Sequence, residues 1–336
     1  MNVFELTRAL VDIESVTENE GGVGAYLHAH LSKIAAGSGG KIEKMDVEPG
    51  RFNVLAYWGA PIVTLSTHMD TVPPFFPSRE DSEFIWGRGA CDAKGIIAAM
   101  VAAAEKLLAD GVKNFGMLFV VGEERNSAGA IVAERTPRGS KYLVNGEPTN
   151  NKLALASKGV LRLEVVATGR MAHSAYPELG ESAIDKLLDA LEAIRRVPLP
   201  KDDLFGACMM NIGTISGGRA PNVIADAAKA EILVRLVGDS AQIMEPFARA
   251  AGTRAQVNEI LTLPPIRFRG VDGVPTTVVS FATDVPMFGT SWGEPLLVGP
   301  GNIHVAHTSE ERISKRELTD AVGIYADVVK KLLATS

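Results

Sequence analysis

Four short apolar runs, FNVLAYW (52–58), IVTLST (62–67), MLFVV (117–121) and YLV (142–144), alternate with amphipathic stretches at 3–15, 20–35 and 93–109. The runs have strand length, and the longer stretches repeat their apolar residues at helical spacing. Strands and helices in alternation predict the α/β class, a mixed sheet covered by helices. At Lys158 the rhythm changes. A strand (160–167) is followed by a helix (181–195), two strands (207–215 and 226–236), a helix (240–251) and a strand near 255–262. That order, β-α-β-β-α-β, is the ferredoxin-like split motif. After Pro264-Pro265 a strand pattern returns at 276–282, and a last helix is expected over 315–333. Ser314 and Glu317 form a capping box for it, and Leu318, Val322, Tyr325 and Val329 give it one apolar face.

Length and charge narrow the classes. At roughly 150 residues per domain, 336 residues suggest two domains. With 46% apolar and 22% charged residues, the chain is no disordered tail, collagen repeat or coiled coil. A net charge of −6 lacks the basic excess of many nucleic-acid binders, so no nucleic-acid partner is expected. No apolar run approaches the roughly 18 residues of a membrane helix, and MNVFELTRALVDIES has no signal-peptide core. Two cysteines, Cys91 and Cys208, make no disulfide framework. A cytoplasmic protein without a membrane partner is expected.

The densest chemistry is LSTHMD, where His68 and Asp70 stand two apart at the end of a strand and leave the same face. One can bind a metal while the other holds its ring from behind, although a polar strand end reads the same way. GRGACDAKG places Asp92 between glycines at the start of a helix, as a ligand or as a plain N-cap. Glu123 and Glu124 follow MLFVV; one of them can take a metal while the other faces a water, or both are simply solvated. Glu147 in NGEPTN is otherwise a turn carboxylate, and His307 in GPGNIHVAH a half-buried histidine.

Taken together, the five ligands His68, Asp92, Glu124, Glu147 and His307 suit two divalent ions. Zinc is the first choice, with cobalt or manganese as alternatives. If Asp92 bridges, each ion has one His, one Glu and a share of Asp92. Four of the ligands end strands of the first segment, where ligands of open sheets gather. His307 requires the C-terminal segment to return to that sheet. The metal domain is therefore expected to be discontinuous, 1–157 and 266–336, with 158–265 inserted.

HMDTVP, GRGACDAKG, GEERNSAGA, NGEPTN and GPGNIHVAH resemble, in that order, the blocks of the dinuclear zinc peptidases and deacylases. That family includes acetylornithine deacetylase, succinyl-diaminopimelate desuccinylase, aminoacylase and glutamate carboxypeptidase. The resemblance implies that His68, Asp92 and Glu147 hold one metal, and Asp92, Glu124 and His307 the other. Asp70 becomes the carboxylate behind His68, and Glu123 the general base. A cis peptide between Asp92 and Ala93 is also implied. The insertion resembles the family's lid, through which a homodimer is expected. RMAHSAYP puts His173 where relatives carry a histidine reaching over the metals, and Asn222 and Arg235 match substrate contacts. Ala282 and Val285 in FATDVPMF replace the Gly and Ala of many relatives. His28, His30 and His304 match no ligand position, and Cys91 fits a small-residue position beside Asp92.

The expected function is hydrolysis of the amide of an N-acyl amino acid, through a metal-bridging water activated by Glu123. GPG before the final histidine resembles acetylornithine deacetylases. A dipeptidase or carboxypeptidase acting on short peptides is the alternative within the family. A metal-free binding or regulatory protein on the same scaffold is the alternative outside it.

Overall fold

The computed structural model describes residues 1–335. In chain order it runs α1 (Val3–Val11), α2 (Gly21–Ser38), β1 (Lys41–Glu48), β2 (Arg51–Trp58), β3 (Val63–His68), β4 (Arg79–Glu80) and β5 (Phe84–Trp86). Then come α3 (Lys94–Ala109), β6 (Phe115–Val120), α4 (Ala128–Glu134), β7 (Tyr142–Asn145), β8 (Leu153–Ser157) and β9 (Gly159–Thr168). The chain continues with α5 (Ala183–Arg195), β10 (Lys201–Asp202), β11 (Gly206–Ala207), β12 (Met209–Gly217), β13 (Ala227–Leu236), α6 (Ala241–Ala251) and β14 (Gln256–Leu263). It closes with β15 (Ile266–Arg267), β16 (Thr276–Val279), β17 (Glu294–Leu297), β18 (Arg312–Ser314) and α7 (Lys315–Ala334).

Two compact units result. One comprises Met1–Leu155, Phe268–Thr277 and the segment from Thr283 on; the other comprises Ala156–Arg267 and Val278–Ala282. Residues 278–282, which the sequence pattern groups with the first unit, go with the second, and their strand stops at Val279.

The first unit is built on a mixed sheet in the order β1-β2-β6-β3-β7-β17-β8. Its middle strands β6, β3, β7 and β17 are parallel, with Thr67 opposite Phe119, Ser66 opposite Asn145, and Leu297 beside Asn145. Parallel strands bring their C-terminal ends to one edge, and the loops there are where such sheets place ligands. β3 and β6 are buried along their whole length, which is why both read as continuous apolar runs. α3 is buried nearly all round, with Ile96, Ile97, Met100, Val101 and Leu107 inaccessible, and packs on α1 and α7. Truncating a side chain such as Met100 in this layer costs about 2–5 kcal/mol.

Local sequence explains the helix limits. The Asn2 side chain accepts the N–H groups of Phe4 and Glu5 while Glu5 answers the N–H of Asn2, opening α1 with a capping box. The helix stops at Val11, four residues short of the expected 3–15. Ser15 is instead drawn to the end of β3, where its Oγ donates to the Met69 carbonyl at 2.8 Å and its carbonyl accepts the Thr71 N–H at 2.9 Å. At α7 the Ser314 hydroxyl accepts the N–H of Glu317, one half of the expected capping box.

The second unit carries an antiparallel sheet in the order β12-β13-β9-β14. In β9, Leu161, Leu163, Val165 and Ala167 are buried against α5, in one apolar cluster with residues of α6. The opposite face carries the Arg162–Glu231 and Lys229–Glu164 ion pairs. Among the described residues, no helix is long and apolar enough to cross a membrane.

Candidate metal centre

His68 ends β3 and is 1% exposed. Its Nδ1 lies 3.0 Å from the Asp70 carbonyl oxygen and 3.5 Å from Asp70 Oδ1, while Nε2 lies 2.9 Å from Asp92 Oδ1. The ring is therefore held from behind by Asp70, more closely by its main chain than by its carboxylate. The Asp70 carboxylate is engaged elsewhere, accepting the N–H groups of Glu123 and Glu124 and the Thr17 hydroxyl.

Asp92 lies in the loop between β5 and α3, and the peptide joining it to Ala93 is cis, as the resemblance implied. Gly301, at φ +97°, packs on this loop, where a Cβ would stand 2.6 Å from Cys91 Sγ. Gly301 and the small side chain at Cys91 thus serve one close approach, while the other glycine of GPG, Gly299, lies against the Glu147 backbone. From the far end of the chain, His307 Nε2 comes within 2.9 Å of Glu124 Oε1 and 3.4 Å of Asp92 Oδ2. His68, Asp92 and Glu124 each offer a ligand atom within 4.8 Å of the others. This trio draws on both expected ligand sets. Glu147 follows β7 and is buried, inside the fields of Asp92 and Glu123.

The charges are out of balance. Burial pushes Glu123 and Glu147 well above the usual carboxylate range; Asp284 and Glu124 add to the rise at Glu123, and Asp92 and Glu123 to that at Glu147. Burial also raises Glu124. Asp92 goes the other way: burial opposes it, but hydrogen bonds from His307 and His68 hold it far below the ordinary value. Hydrogen bonds to Asp92 and Glu124 lift His307 to about 10. Burial alone would lower His68, yet its hydrogen bonds to Asp70 and Asp92 carry it well above its ordinary value.

Buried carboxylates gathered this closely favour positive charge among them. With Nδ1 facing a carbonyl, a neutral His68 turns its Nε2 lone pair toward Asp92 Oδ1 at 2.9 Å. Two acceptors at that distance require a proton or a cation between them. Nitrogen and carboxylate donors in this number suit divalent zinc chemistry, so the residues fit the metals that the motifs imply.

Three further residues escaped the sequence reading. Asp284 is buried beside Asn145, whose Nδ2 lies 3.5 Å away, and burial pushes it up to about 7. Arg88 and Glu311 form a buried pair at 2.5 Å under the Asp92 loop. Arg88 and Asp284 sit inside quoted motifs, but Glu311 in TSEER looks like a solvated charge run.

His173, Asn222 and Arg235 belong to the second unit. His173 bridges Val223 through the backbone, and the Ser174 N–H donates to the Asn222 carbonyl at 3.0 Å, so the two expected contacts share one exposed loop pair. Arg235 sits half-buried on β13, and burial pulls its guanidinium below its ordinary value. Among the described residues no carboxylate pairs with it.

The sequence matches the profile of peptidase family M20/M25/M40 over residues 64–331. A peptidase M20 domain-containing protein of Schizosaccharomyces pombe is 35% identical, covering 98% of this chain and 84% of its own. A protein of Aspergillus niger named a probable carboxypeptidase is 33% identical over 96% and 88%. The crystal structure of the aminopeptidase PepT from Bacillus cereus has the same fold, with TM-score 0.80 at 20% identity over 99% and 98% of the two chains. So does a dinuclear metal-binding M20 peptidase of Bacillus subtilis, with TM-score 0.70 at 16% identity over 98% of each. With its motifs in family order and relatives a third identical along nearly all its length, the chain belongs to peptidase family M20/M25/M40 and is a hydrolase of that family.

Proposed function

We propose that this enzyme hydrolyses an amide bond beside a free α-carboxylate, in a short peptide or an N-acyl amino acid. The observation that carries the reading is the acidic cluster around His68, Asp92, Glu124 and His307, with the desolvated Glu123 beside Glu124. His68, Asp92, Glu124, Glu147 and His307 would hold two divalent cations, zinc first, with cobalt and manganese as alternatives. When bound, the cations would supply Lewis acidity at the carbonyl and lower the pKa of the attacking water toward neutrality.

The chain's own residues do the rest. Asp70 orients His68 and presents the two glutamates. Glu123 takes the proton of the attacking water and returns it to the leaving nitrogen, the task of a carboxylate whose proton affinity burial has raised. Arg235, unmatched by any carboxylate of the described chain, grips the substrate carboxylate with Asn222. His173 donates to the carbonyl oxygen as negative charge develops there.

The inserted unit acts as a lid and as the dimer contact. Its β12 is an exposed edge strand carrying Ile215, and α5 exposes Ile184 and Leu188. An unpaired edge strand with apolar residues is a ready site for pairing with a second copy. Both cysteines are buried free thiols, in keeping with a reducing cytoplasm.

Within this reading, the names of the relatives favour removal of a C-terminal residue from a short peptide. Deacetylation of a basic N-acetyl amino acid is the second form, carried by the GPG before His307. Metal analysis of the purified protein and its rates on short peptides and N-acetyl amino acids test the proposal. Two ions per chain and release of a C-terminal amino acid are expected. Protein free of metal and inactive on both panels would leave only a binding role.

A further inference from the structure

The expected ligands come from distant parts of the chain, and one residue outside them ties two of those parts together. The Glu311 side chain is 1% exposed. Its Oε1 accepts the N–H groups of Gly89 at 2.9 Å, Cys91 at 3.2 Å and Asp92 at 3.1 Å. Its Oε2 accepts Arg88 Nη1 at 2.5 Å, and its main-chain oxygen accepts the Gly87 N–H at 3.1 Å. Arg88 is itself fixed, donating to the Pro74 carbonyl and lying over the Phe76 ring. Immediately after Glu311, β18 pairs with β5, the strand that leads into the Asp92 loop.

A carboxylate is kept in such a place only where its partners offset the loss of water. Here four donors occupy its two oxygens, and three of them are the backbone of the loop that carries Asp92. Four residues before Glu311 stands His307, whose Nε2 faces Glu124 and Asp92. Glu311 therefore fixes the Asp92 backbone and the His307 segment to each other.

We propose that Glu311 is a positioning residue that sets the spacing of Asp92 and His307 and so shapes the cation pocket formed by Asp92, Glu124 and His307. This rests on the proposed metal-holding role of those three residues. Glu311 does not touch the reacting atoms; it acts through the backbone of Asp92.

The test is a cobalt titration of metal-free protein, followed by the visible spectrum of the bound ion. Glu311→Asp keeps the charge but shortens the side chain by a methylene, so it cannot reach Arg88 and three N–H groups together. It should weaken the binding of one of the two ions by about 10–100-fold, the usual cost of losing a partner behind a ligand. Glu311→Gln keeps Oε1 as acceptor and should bind cobalt much like wild type. Arg88→Met/Glu311→Gln guards against a stranded Arg88 charge and should do the same. Melting of each metal-free variant reports whether it has folded. If Glu311→Asp does not fold, Arg88→Met/Glu311→Met removes both charges and the acceptor together and takes its place, with the same expected loss. Wild-type protein that takes up no cobalt overturns both this inference and the metal reading. Cobalt bound normally by wild type and equally well by Glu311→Asp overturns this inference alone, as does an Arg88→Met/Glu311→Gln variant that loses as much as the Asp variant.

Discussion

Asp70 receives the N–H of Glu123 on Oδ1 and that of Glu124 on Oδ2, both at 3.1 Å, so one buried carboxylate orients the two adjacent acids. The same residue turns its main-chain oxygen to His68 Nδ1 at 3.0 Å. Asp70 is thus the common support of two proposed ligands and the proposed base. Asp70→Asn leaves the main-chain contact to His68 intact but points an NH2 group at one of the two backbone N–H donors. Metal affinity and turnover should both fall by about 10–100-fold. Cobalt titration and kcat of the variant check this, and an unchanged metal affinity would show that the Asp70 carboxylate does not support the proposed ligands.

The metal-free protein should lose stability as pH rises. Asp284 moves from 3.8 to about 7, Glu311 from 4.5 to about 7 and His307 from 6.5 to about 10. Burial is the first cause for the two acids, and hydrogen bonds to Asp92 and Glu124 for His307. Each raised value means that the folded chain holds a proton which the unfolded chain releases. Stability from these groups is therefore complete below their unfolded values and lost as pH climbs through the folded ones. The Tm of chelator-treated protein should fall between about pH 5 and 9, and divalent metal should flatten the decline because it replaces the protons. A Tm that climbs across this range would contradict the assignment.

Assembly can be read from activity. His173 lies on the second unit, and its ring is exposed. If the proposed dimer completes each centre with the partner's histidine, His173→Ala and Glu123→Gln proteins should each be nearly inactive alone. Mixed and allowed to exchange subunits, they should recover part of the wild-type rate, because a mixed dimer contains one intact composite centre. No recovery, with exchange verified by tagged subunits, would place the histidine in cis.

Much of the centre was legible because its chemistry sits where apolar runs end. LSTHMD, MLFVVGEE and YLVNGE each pass from buried strand to polar residue, and their strands lie side by side and parallel, so His68, Glu123, Glu124 and Glu147 gather at one sheet edge. β1 was missed because KIEKMDVE alternates charges along a half-exposed edge, where only Met45 is buried. β8 and β17 are five- and four-residue strands whose pairing is decided by distant partners rather than by local pattern. The early end of α1 depends on Ser15 meeting Met69, and Glu311 on reaching a loop more than two hundred residues earlier. Contacts of that kind leave no periodicity to read. Asp70 falls between the two cases: spacing put its side chain on the face of His68, but only the fold shows the carbonyl taking the ring.

Glu123 and Glu124 carry the sharpest test, since they are chemically identical neighbours with different surroundings. Glu124 Oε1 faces His307 at 2.9 Å and belongs to the trio with His68 and Asp92. Glu123 is instead raised chiefly by burial, with Asp284, Glu124 and Asp70 adding their fields. Glu124→Gln should therefore lose metal and activity together. Glu123→Gln should keep its metal and its substrate affinity while kcat collapses, because an amide accepts no proton. General-base help is worth about 10²–10⁴ in rate, so the loss should be abrupt rather than graded. The acidic limb of kcat/KM should follow the coupled cluster of Glu123 and its neighbours rather than one isolated carboxylate. Metal content and kcat of the two variants, measured side by side, decide between them: a Glu123→Gln protein stripped of metal beside a fully loaded Glu124→Gln protein would exchange their roles.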